Sequence, residues 1–241
     1  MKTPEQSNSS QLVVLTDEIV QCRKCPRLVA YREKVAREKR LAFRACEYWG
    51  QPVPGFGDPK AQLLILGLAP AAHGGNRTGR VFTGDRSGDF LYAALYRAGF
   101  ANQPTSRARG DGLALKNAYV AAAVRCAPPA NKPLPSEAAN CRPYLERELQ
   151  ILLPAAVLVL GNIAMRAYLG FLKDRGEIRG FAEYPFRHAA SYEFPGSLPR
   201  IFASYHPSQQ NTFTGKLTPG MMDKVLREIR KFLGRARPLR A

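Results

Sequence analysis

The sequence has few acidic residues and no long apolar run. Its 241 residues include 19 Asp and Glu against 36 Lys and Arg, which gives a formal net charge of +17. Such an excess of positive charge indicates a polyanionic partner such as nucleic acid, with a membrane surface as the rival interpretation. No stretch of 18 apolar residues and no secretory signal pattern occurs, so we expect a cytoplasmic protein without a membrane partner.

The chain also lacks the two common phosphate-binding motifs, G-x-x-x-x-G-K-[ST] and G-x-G-x-x-G, although it has a glycine-rich loop. That loop, residues 67–88, contains six glycines and no acidic residue before Asp85. It follows an apolar run at 62–66, predicted as a buried parallel strand, and precedes a helical pattern at 89–96. Ligands of open α/β sheets bind at such strand ends, so free backbone N–H groups and basic side chains predict an anion site. A surface turn without a ligand is the alternative.

Three further strands are predicted, at 117–124, 157–160 and 201–205. The other predicted helices are 12–20, 28–39, 136–152, about ten residues from 162, and 220–233. The alternation predicts an α/β fold, a three-layer α/β/α sandwich around a mostly parallel sheet of four strands. Residues 175–199 are predicted to be irregular or to form a hairpin. We expect one domain over residues 11–234, a disordered segment at 1–10 and a basic tail at 235–241.

Cysteine is scarce, but four of the five cysteines form two pairs. Cys22 and Cys25 make a C-x-x-C motif, and fourteen residues separate Cys126 from Cys141. In a cytosolic chain such cysteines indicate metal binding or catalysis before disulfides, and four thiolates can close a tetrahedral site. Spacing alone leaves zinc, a [4Fe-4S] cluster and four unrelated buried thiols open. We interpret the fifth, Cys46, as a small buried hydrophobic residue.

Three loops that follow predicted strands resemble the motifs of a known family. They are GLAPAAHGGNRTGRVFTGD at 67–85, VRCAPPANKP at 124–133 and SYHPSQQNTFTG at 204–215. In order and spacing these loops and the four cysteines resemble family 5 of the uracil-DNA glycosylase superfamily, over roughly residues 18–234. The resemblance implies an α/β/α sandwich that acts as a monofunctional DNA glycosylase on uracil and other damaged bases. It also implies a structural [4Fe-4S] cluster on the four paired cysteines.

The resemblance implies further that the partner is double- and single-stranded DNA with damaged bases. We expect a monomer associated with the nucleoid. The sequence is also compatible with two other interpretations. A non-catalytic, metal-stapled nucleic-acid-binding module explains the charge and the cysteines but not the three loops. A phosphate-handling enzyme acting on a free nucleotide explains the glycine-rich loop but not the net charge of +17.

Candidate pocket residues lie in the three loops. An enzyme that removes a base must take it out of the stack and stabilise it as it leaves. His206 is the candidate donor to the leaving base, by the logic of an oxyanion hole, and a surface histidine is the alternative. Phe82 is the candidate stacking ring, with a place in the core as the alternative. The other candidate substrate-binding residues are Gly67, Ala69, Ala71 and His73, the last to orient the loop or contact a phosphate; His188 is interpreted as structural.

Asp85 and Asn131 are the remaining catalytic candidates. A carboxylate near C1′ can stabilise the sugar cation or orient water, typically worth a factor of about 10² to 10⁴. Asp85 can equally cap the following helix, and Asn131, which resembles an active-site amide of the family, can equally be a turn residue. In better-known branches of the superfamily the turn after the first strand carries Asp, Asn or Glu. Residues 67–71 have no polar side chain, which is typical of family 5.

DNA contacts are expected around the same loops. Residues 207–214 are the candidate wedge that fills the gap left by the extruded nucleotide. Residues 22–44 carry nine Lys and Arg against two Glu, which indicates an anion-facing arm or a solvated helix face. The small apolar stretch 121–124 offers no amide to reject other bases, which predicts a permissive pocket. Candidate DNA-binding residues are Arg77, Arg80, Lys132, Ser208, Gln209, Asn211 and Lys216.

Overall fold

The computed structural model of the chain describes residues 7–235, and its centre is a six-stranded sheet. The strands are β1 (Phe56–Gly57), β2 (Leu63–Gly67), β3 (Ala118–Ala122), β4 (Ala156–Leu160), β5 (Ser191–Tyr192) and β6 (Arg200–Ser204). Their spatial order is β1-β3-β2-β4-β6-β5. The inner four are mutually parallel, as predicted, and the two-residue strands at the edges pair antiparallel. Every residue of β2, β3 and β4 is buried, which explains their continuous apolar sequences.

Eight α-helices accompany the sheet within the described residues. They are α1 (Asn8–Val20), α2 (Pro26–Glu38), α3 (Gly75–Thr78), α4 (Arg86–Arg97), α5 (Pro135–Leu152), α6 (Asn162–Asp174), α7 (Gln209–Phe213) and α8 (Pro219–Arg235). Alternate residues of β2 face opposite layers. Leu63 and Ile65 pack with α4 and α8, whereas Leu64 and Leu66 pack with α5 and α6. The predicted three-layer α/β/α sandwich is therefore confirmed.

The connections create a crevice between β2 and β4, which are neighbours in the sheet. The chain leaves β2 toward α4 on one face and leaves β4 toward α6 on the other. Adjacent parallel strands whose connections diverge in this way open a cleft outside their carboxyl ends. The glycine-rich loop after β2 borders this cleft.

The predicted disorder of residues 1–10 is wrong for residues 8–10, which form the first turn of α1. The Ser7 hydroxyl accepts a hydrogen bond from the N–H of Ser10 at 3.3 Å and caps this helix. Residues 1–6 lie outside the described residues, and so does the predicted basic tail apart from Arg235, which ends α8. The hairpin expected in 175–199 is limited to the pairing of β5 with β6. Over the described part of the chain, no helix is long and apolar enough to cross a bilayer.

Candidate active site

A cavity of about 690 Å³ lies at the carboxyl ends of the parallel strands. Its wall is formed by 68–71 after β2, 161–164 after β4 and 205–206 after β6. Asn131, from the loop after β3, also lines it. All four central strands therefore contribute to one pocket, and the predicted backbone contacts Ala69 and Ala71 are part of its wall.

The Phe82 ring lies against the end of β2 because Gly67 has no side chain there. A Cβ added to Gly67 would come within 2.7 Å of Phe82 Cε2. Phe82 has a φ of 50°, which is rare for a bulky residue, and Gly88 makes room for its carbonyl oxygen. The half-buried ring lines the cavity, 5.8 Å from the imidazole of His206 between centroids. Phe82 thus belongs to the cavity wall and also packs on the core beneath it.

His206 lies two residues after the end of β6 and lines the same cavity. Its carbonyl accepts a hydrogen bond from Asn211 Nδ2 at 2.8 Å, and the Ser208 hydroxyl caps α7. Burial lowers the pKa of the His206 imidazole to about 4, because the charged form loses its hydration. The ring is therefore neutral at physiological pH and carries one N–H to donate.

Asp85 caps α4, which is one of the two roles considered for it, and it also lines the cavity. Its Oδ1 accepts from the N–H of Gly88 at 2.9 Å. Burial raises the pKa of the Asp85 carboxyl, partly opposed by hydrogen bonds from the backbone of Gly88 and Ser87. Its Oδ2 lies over Gly74, where an added Cβ would be only 2.0 Å away. The carboxylate therefore has a fixed position at the cavity wall.

A groove of about 980 Å³ adjoins the cavity and shares Ala71, Asp85 and Asn131 with it. Arg40, Arg77, Arg86 and Arg107 line this groove, together with His73 and Gln209. His73 Nδ1 pairs with the Tyr48 hydroxyl at 3.0 Å. Burial, followed by the charges of Arg40 and Arg77, lowers the pKa of His73. The groove is thus rich in cations and leads directly into the cavity.

The two arginines expected on DNA have different roles. Arg77 donates to the carbonyls of His73 at 2.8 Å and Gly84 at 2.7 Å, so it braces the loop while lining the groove. Arg80 is only 5% exposed, and its guanidinium donates to both carboxylate oxygens of Asp111 at 2.9 and 2.7 Å. The prediction that Arg80 contacts DNA phosphate is wrong, because its charge is already paired inside the fold.

The remaining DNA candidates stay at the surface. Lys132 is exposed, and it lies beside the catalytic candidate Asn131, which is also exposed and has a φ of 55°. Lys216 lies 5.1 Å above the Tyr205 ring at the cavity. The predicted wedge loop is mostly helical, since α7 occupies it, and its Phe213 is 74% exposed. Sequence reasoning did not identify several lining residues, which are Asn162, Ile163, Phe186 and Tyr205. The position of the first two directly after β4 was the signal available.

His188 and Cys46 have no predicted role in the cavity. His188 is structural, as predicted: its Nδ1 accepts from the N–H of Tyr205 at 3.3 Å, and its ring stacks on Tyr205 at 5.0 Å. Cys46 is half-buried and not in the core, so its interpretation as a buried hydrophobic residue is wrong. It lies in a bend, where its N–H donates to the carbonyl of Phe43 at 3.0 Å and Lys39 Nζ donates to its own carbonyl at 2.8 Å.

The four paired cysteines are free thiols in one region of the fold. Cys25, Cys126 and Cys141 belong to one buried cluster, to which Ala69 of the cavity wall also packs. Cys22 lies nearby, in contact with Tyr144. Residues 7–235 contain no group of three or more Cys, His, Asp or Glu at a spacing that would hold a metal ion.

Hydrogen-bond donors surround these sulfurs. Arg32 Nη1 donates to Cys126 Sγ at 3.2 Å, and Asn140 Nδ2 donates to Cys25 Sγ at 3.4 Å. Burial raises the pKa of the Cys126 thiol to about 12 and also raises that of Cys141. Arg32 is 2% exposed, and its Nε has no hydrogen-bond partner among the described residues. The region thus holds a buried cation with unused donor capacity beside four sulfurs.

Comparison with known proteins agrees with this architecture. Residues 54–230 match the Uracil DNA glycosylase superfamily. The chain is 52% identical over 214 residues to the type-5 uracil-DNA glycosylase of Thermus thermophilus, which covers 88% of this chain and 94% of that one. It is 50% identical over 215 residues to the type-5 uracil-DNA glycosylase of Mycobacterium tuberculosis, covering 88% of this chain and 78% of that one. The corresponding Pyrobaculum aerophilum protein is 44% identical over 211 residues, 88% of each chain. The chain therefore belongs to the uracil-DNA glycosylase superfamily and, within it, to the type-5 family.

Proposed function

We propose that the chain is a DNA glycosylase that hydrolyses the N-glycosidic bond of uracil and other damaged bases, leaving an abasic site. One observation carries the proposal: Phe82, a neutral His206 and Asp85 converge on a single cavity that opens into a basic groove. The type-5 relatives, which are named uracil-DNA glycosylases, support it. The enzyme acts as a monomer on double- or single-stranded DNA, in the compartment that holds the nucleoid.

The proposed reaction begins with a flipped base stacked on Phe82. When the bond between C1′ and the base nitrogen breaks, its electron pair stays on the base. The neutral His206 N–H then donates to the base oxygen on which the charge collects, as an oxyanion-hole donor does. Backbone N–H groups of the 69–72 turn, which borders the cavity, add to this stabilisation.

Asp85 acts on the sugar side of the same bond. Its carboxylate faces the oxocarbenium-like centre at C1′ and orients water for attack. The water oxygen bonds to C1′, and its proton passes to the carboxylate and then to solvent or the departing base. Because burial raises the pKa of Asp85, it is a stronger base than an exposed aspartate. Asn131, at the mouth of the cavity, completes the set as a second group that holds water or the base.

DNA is held by the groove and by the rim of the cavity. Exposed cations contact phosphates without reading sequence, while α7 enters the gap that the base leaves. Ser208 and Asn211 contribute mainly by fixing α7 and the carbonyl of His206. The DNA contacts that we propose are Arg77, Lys132, Gln209 and Lys216, with His73 beside them.

We propose further that Cys22, Cys25, Cys126 and Cys141 hold a [4Fe-4S] cluster. The fit rests on Arg32. Within residues 7–235 the one carboxylate that pairs with its buried guanidinium is that of Glu33, at 3.9 Å, and its Nε has no hydrogen-bond partner. Four thiolates with the cluster would supply the missing negative charge and acceptors. When bound, the group supplies a cross-link between the N-terminal arm and the loop after β3. Iron analysis of the purified protein tests this proposal, and a colourless protein with stoichiometric zinc would contradict it.

The base pocket is proposed to be permissive. The end of β3 is small and apolar at residues 121–124 and offers no fixed amide to pair with one base edge. A pocket discriminates strongly between bases when the wrong base leaves one of its buried polar groups unpaired. A pocket without such a group discriminates weakly. Hypoxanthine and ethenocytosine should therefore be removed alongside uracil, in a single-turnover panel of duplexes that differ only in the lesion. Activity on uracil alone would show that a discriminating group exists.

Single-turnover excision with variants tests the catalytic proposal. Asp85→Asn and His206→Ala should each slow abasic-site formation on a uracil duplex by a factor of roughly 10 to 10³, about 1.4 to 4 kcal/mol of barrier. The DNA dissociation constant should change little. Asp223→Asn, the same substitution on α8 in a surface pair with Arg97, is the matched control and should retain the wild-type rate. A wild-type protein that binds DNA without forming abasic sites would instead indicate a non-catalytic binding module.

A further inference from the structure

Asn76 is a fully buried polar residue without a part in the mechanism above. It lies in α3, inside the glycine-rich loop, and is 0% exposed. Its Nδ2 donates to the carbonyl of Arg32 on α2 at 3.2 Å and to the carbonyl of Ala72 at 3.4 Å. A buried amide is costly without such bonds, so these two acceptors fix its orientation.

The backbone of Asn76 brings two more segments to the same point. Its N–H donates to the carbonyl of Ala71 at 3.0 Å, and its own carbonyl accepts from the N–H of Gly50 at 3.0 Å. Ala71 is part of the cavity wall. Asn76 thus connects the 69–72 turn to α2 on one side and to the segment around Gly50 on the other.

The residue after Asn76 extends this connection to the carboxylate. Arg77 donates to the carbonyl of Gly84, which directly precedes Asp85. On the other side, Arg32 reaches the cysteines, with Nη1 at 3.2 Å from Cys126 Sγ and Nη2 at 3.4 Å from the carbonyl of Cys22. Hydrogen bonds and adjacent residues of the chain therefore connect the cysteine region, through α2 and Asn76, to the 69–72 turn and to Asp85.

We infer that Asn76 is a positioning residue for base excision, which sets the 69–72 turn and Asp85 against the cysteine-bearing helix α2. The inference rests on the proposed glycosylase function. Asn76 is not one of the described residues that line the cavity or the groove, so it acts through the residues to which it is hydrogen-bonded. A misplacement of about 1 Å at a reacting centre can cost about 10²-fold in rate, so this bracing controls the chemical step and not DNA affinity.

Asn76→Asp is the direct test, because it removes both donors with almost no change in volume. The carboxyl oxygen then faces two carbonyl oxygens and repels the turn. We expect single-turnover excision at saturating enzyme to fall by about 10- to 100-fold. The dissociation constant for a duplex with a tetrahydrofuran abasic analogue, and the visible absorbance per protein, should stay at wild-type values.

Asn117→Asp is the matched control. Asn117 Nδ2 donates to Gln62 Oε1 at 2.9 Å at the amino ends of the strands, far from the cavity. This variant should lose stability and keep the wild-type excision rate. Equal rate losses in both variants, or a wild-type rate in Asn76→Asp, would overturn the inference.

Asn76→Ser decides the question if Asn76→Asp does not fold. Its hydroxyl keeps one donor, so a reduced rate with an unchanged dissociation constant supports the inference, and a wild-type rate overturns it. If the wild-type protein itself forms no abasic sites, the proposed function fails and not the positioning role alone.

Discussion

Gly74→Ala perturbs Asp85 without changing any catalytic group. The added Cβ would lie 2.0 Å from Asp85 Oδ2, 2.8 Å from Cγ and 3.1 Å from Cβ. Ordinary van der Waals contact needs more than 3.4 Å, so the carboxylate has to move by more than an ångström. A displacement of that size at a reacting centre is worth about 10²-fold in rate, or about 2.7 kcal/mol of barrier.

The assay is single-turnover excision on a uracil duplex, with the dissociation constant measured in parallel. Gly170→Ala is the matched control, because no atom lies within 4 Å of a Cβ added there in α6. That control should keep its rate and gain about 0.5–1 kcal/mol of stability, as expected for Gly to Ala in a helix.

A double-mutant cycle then shows whether the effect passes through the carboxylate. If Gly74→Ala acts only by displacing Asp85, the double variant with Asp85→Asn should be no slower than Asp85→Asn alone. Multiplicative losses, or a wild-type rate in Gly74→Ala, would refute the reasoning that the position of this carboxylate limits the rate.

Three further predictions concern stability and binding. Arg80→Ala should lower the unfolding free energy measured in urea by about 3–5 kcal/mol, because it leaves Asp111 without its buried partner. Arg97→Ala, at an exposed ion pair, should lower it by less than about 1 kcal/mol. Equal losses in the two variants would contradict the difference in burial. Lys132→Ala should weaken DNA binding and reduce the slope of log K against log salt by about one, and an unchanged slope would remove it from the interface. The free energy of unfolding should fall by at most roughly 3 kcal/mol as pH drops from 6.5 to about 4. In this range the unfolded chain is protonated at His206, whereas the buried imidazole of the folded protein stays neutral. His206→Asn should abolish this part of the pH dependence. If the wild-type protein and this variant have the same dependence of stability on pH, the prediction is contradicted.

The parallel strands could be predicted because strands buried on both faces have continuous apolar sequences. Residues 63–66 and 157–160 are of this kind. Because ligands bind at the carboxyl ends of parallel strands, these two runs also predicted where the cavity lies. The edge strands β1 and β5 could not be predicted, because two residues carry no period. For the same reason α3 and α7, of four and five residues, were not predicted within their loops.

The fate of individual charges depended on partners distant in the chain. Arg80 and Arg77 have similar settings in the glycine-rich loop, yet Asp111 lies 31 residues beyond Arg80 and pairs with it. Nothing local in the sequence distinguishes the two arginines. The cap role of Asp85 was predicted correctly, because it follows from the position of this residue just before a helix. The close approach of its Oδ2 to Gly74 could not be predicted from the sequence, because it depends on how the loop folds.

The products formed on a uracil-containing duplex test the central claim most directly. Free base and alkali-labile sites should be measured in the same reaction, with the strand analysed before and after alkali. We predict one free uracil for each alkali-labile site and an intact strand before alkali, as expected for hydrolysis by water oriented at Asp85. DNA binding without release of the base, or strand scission before alkali, would contradict the account.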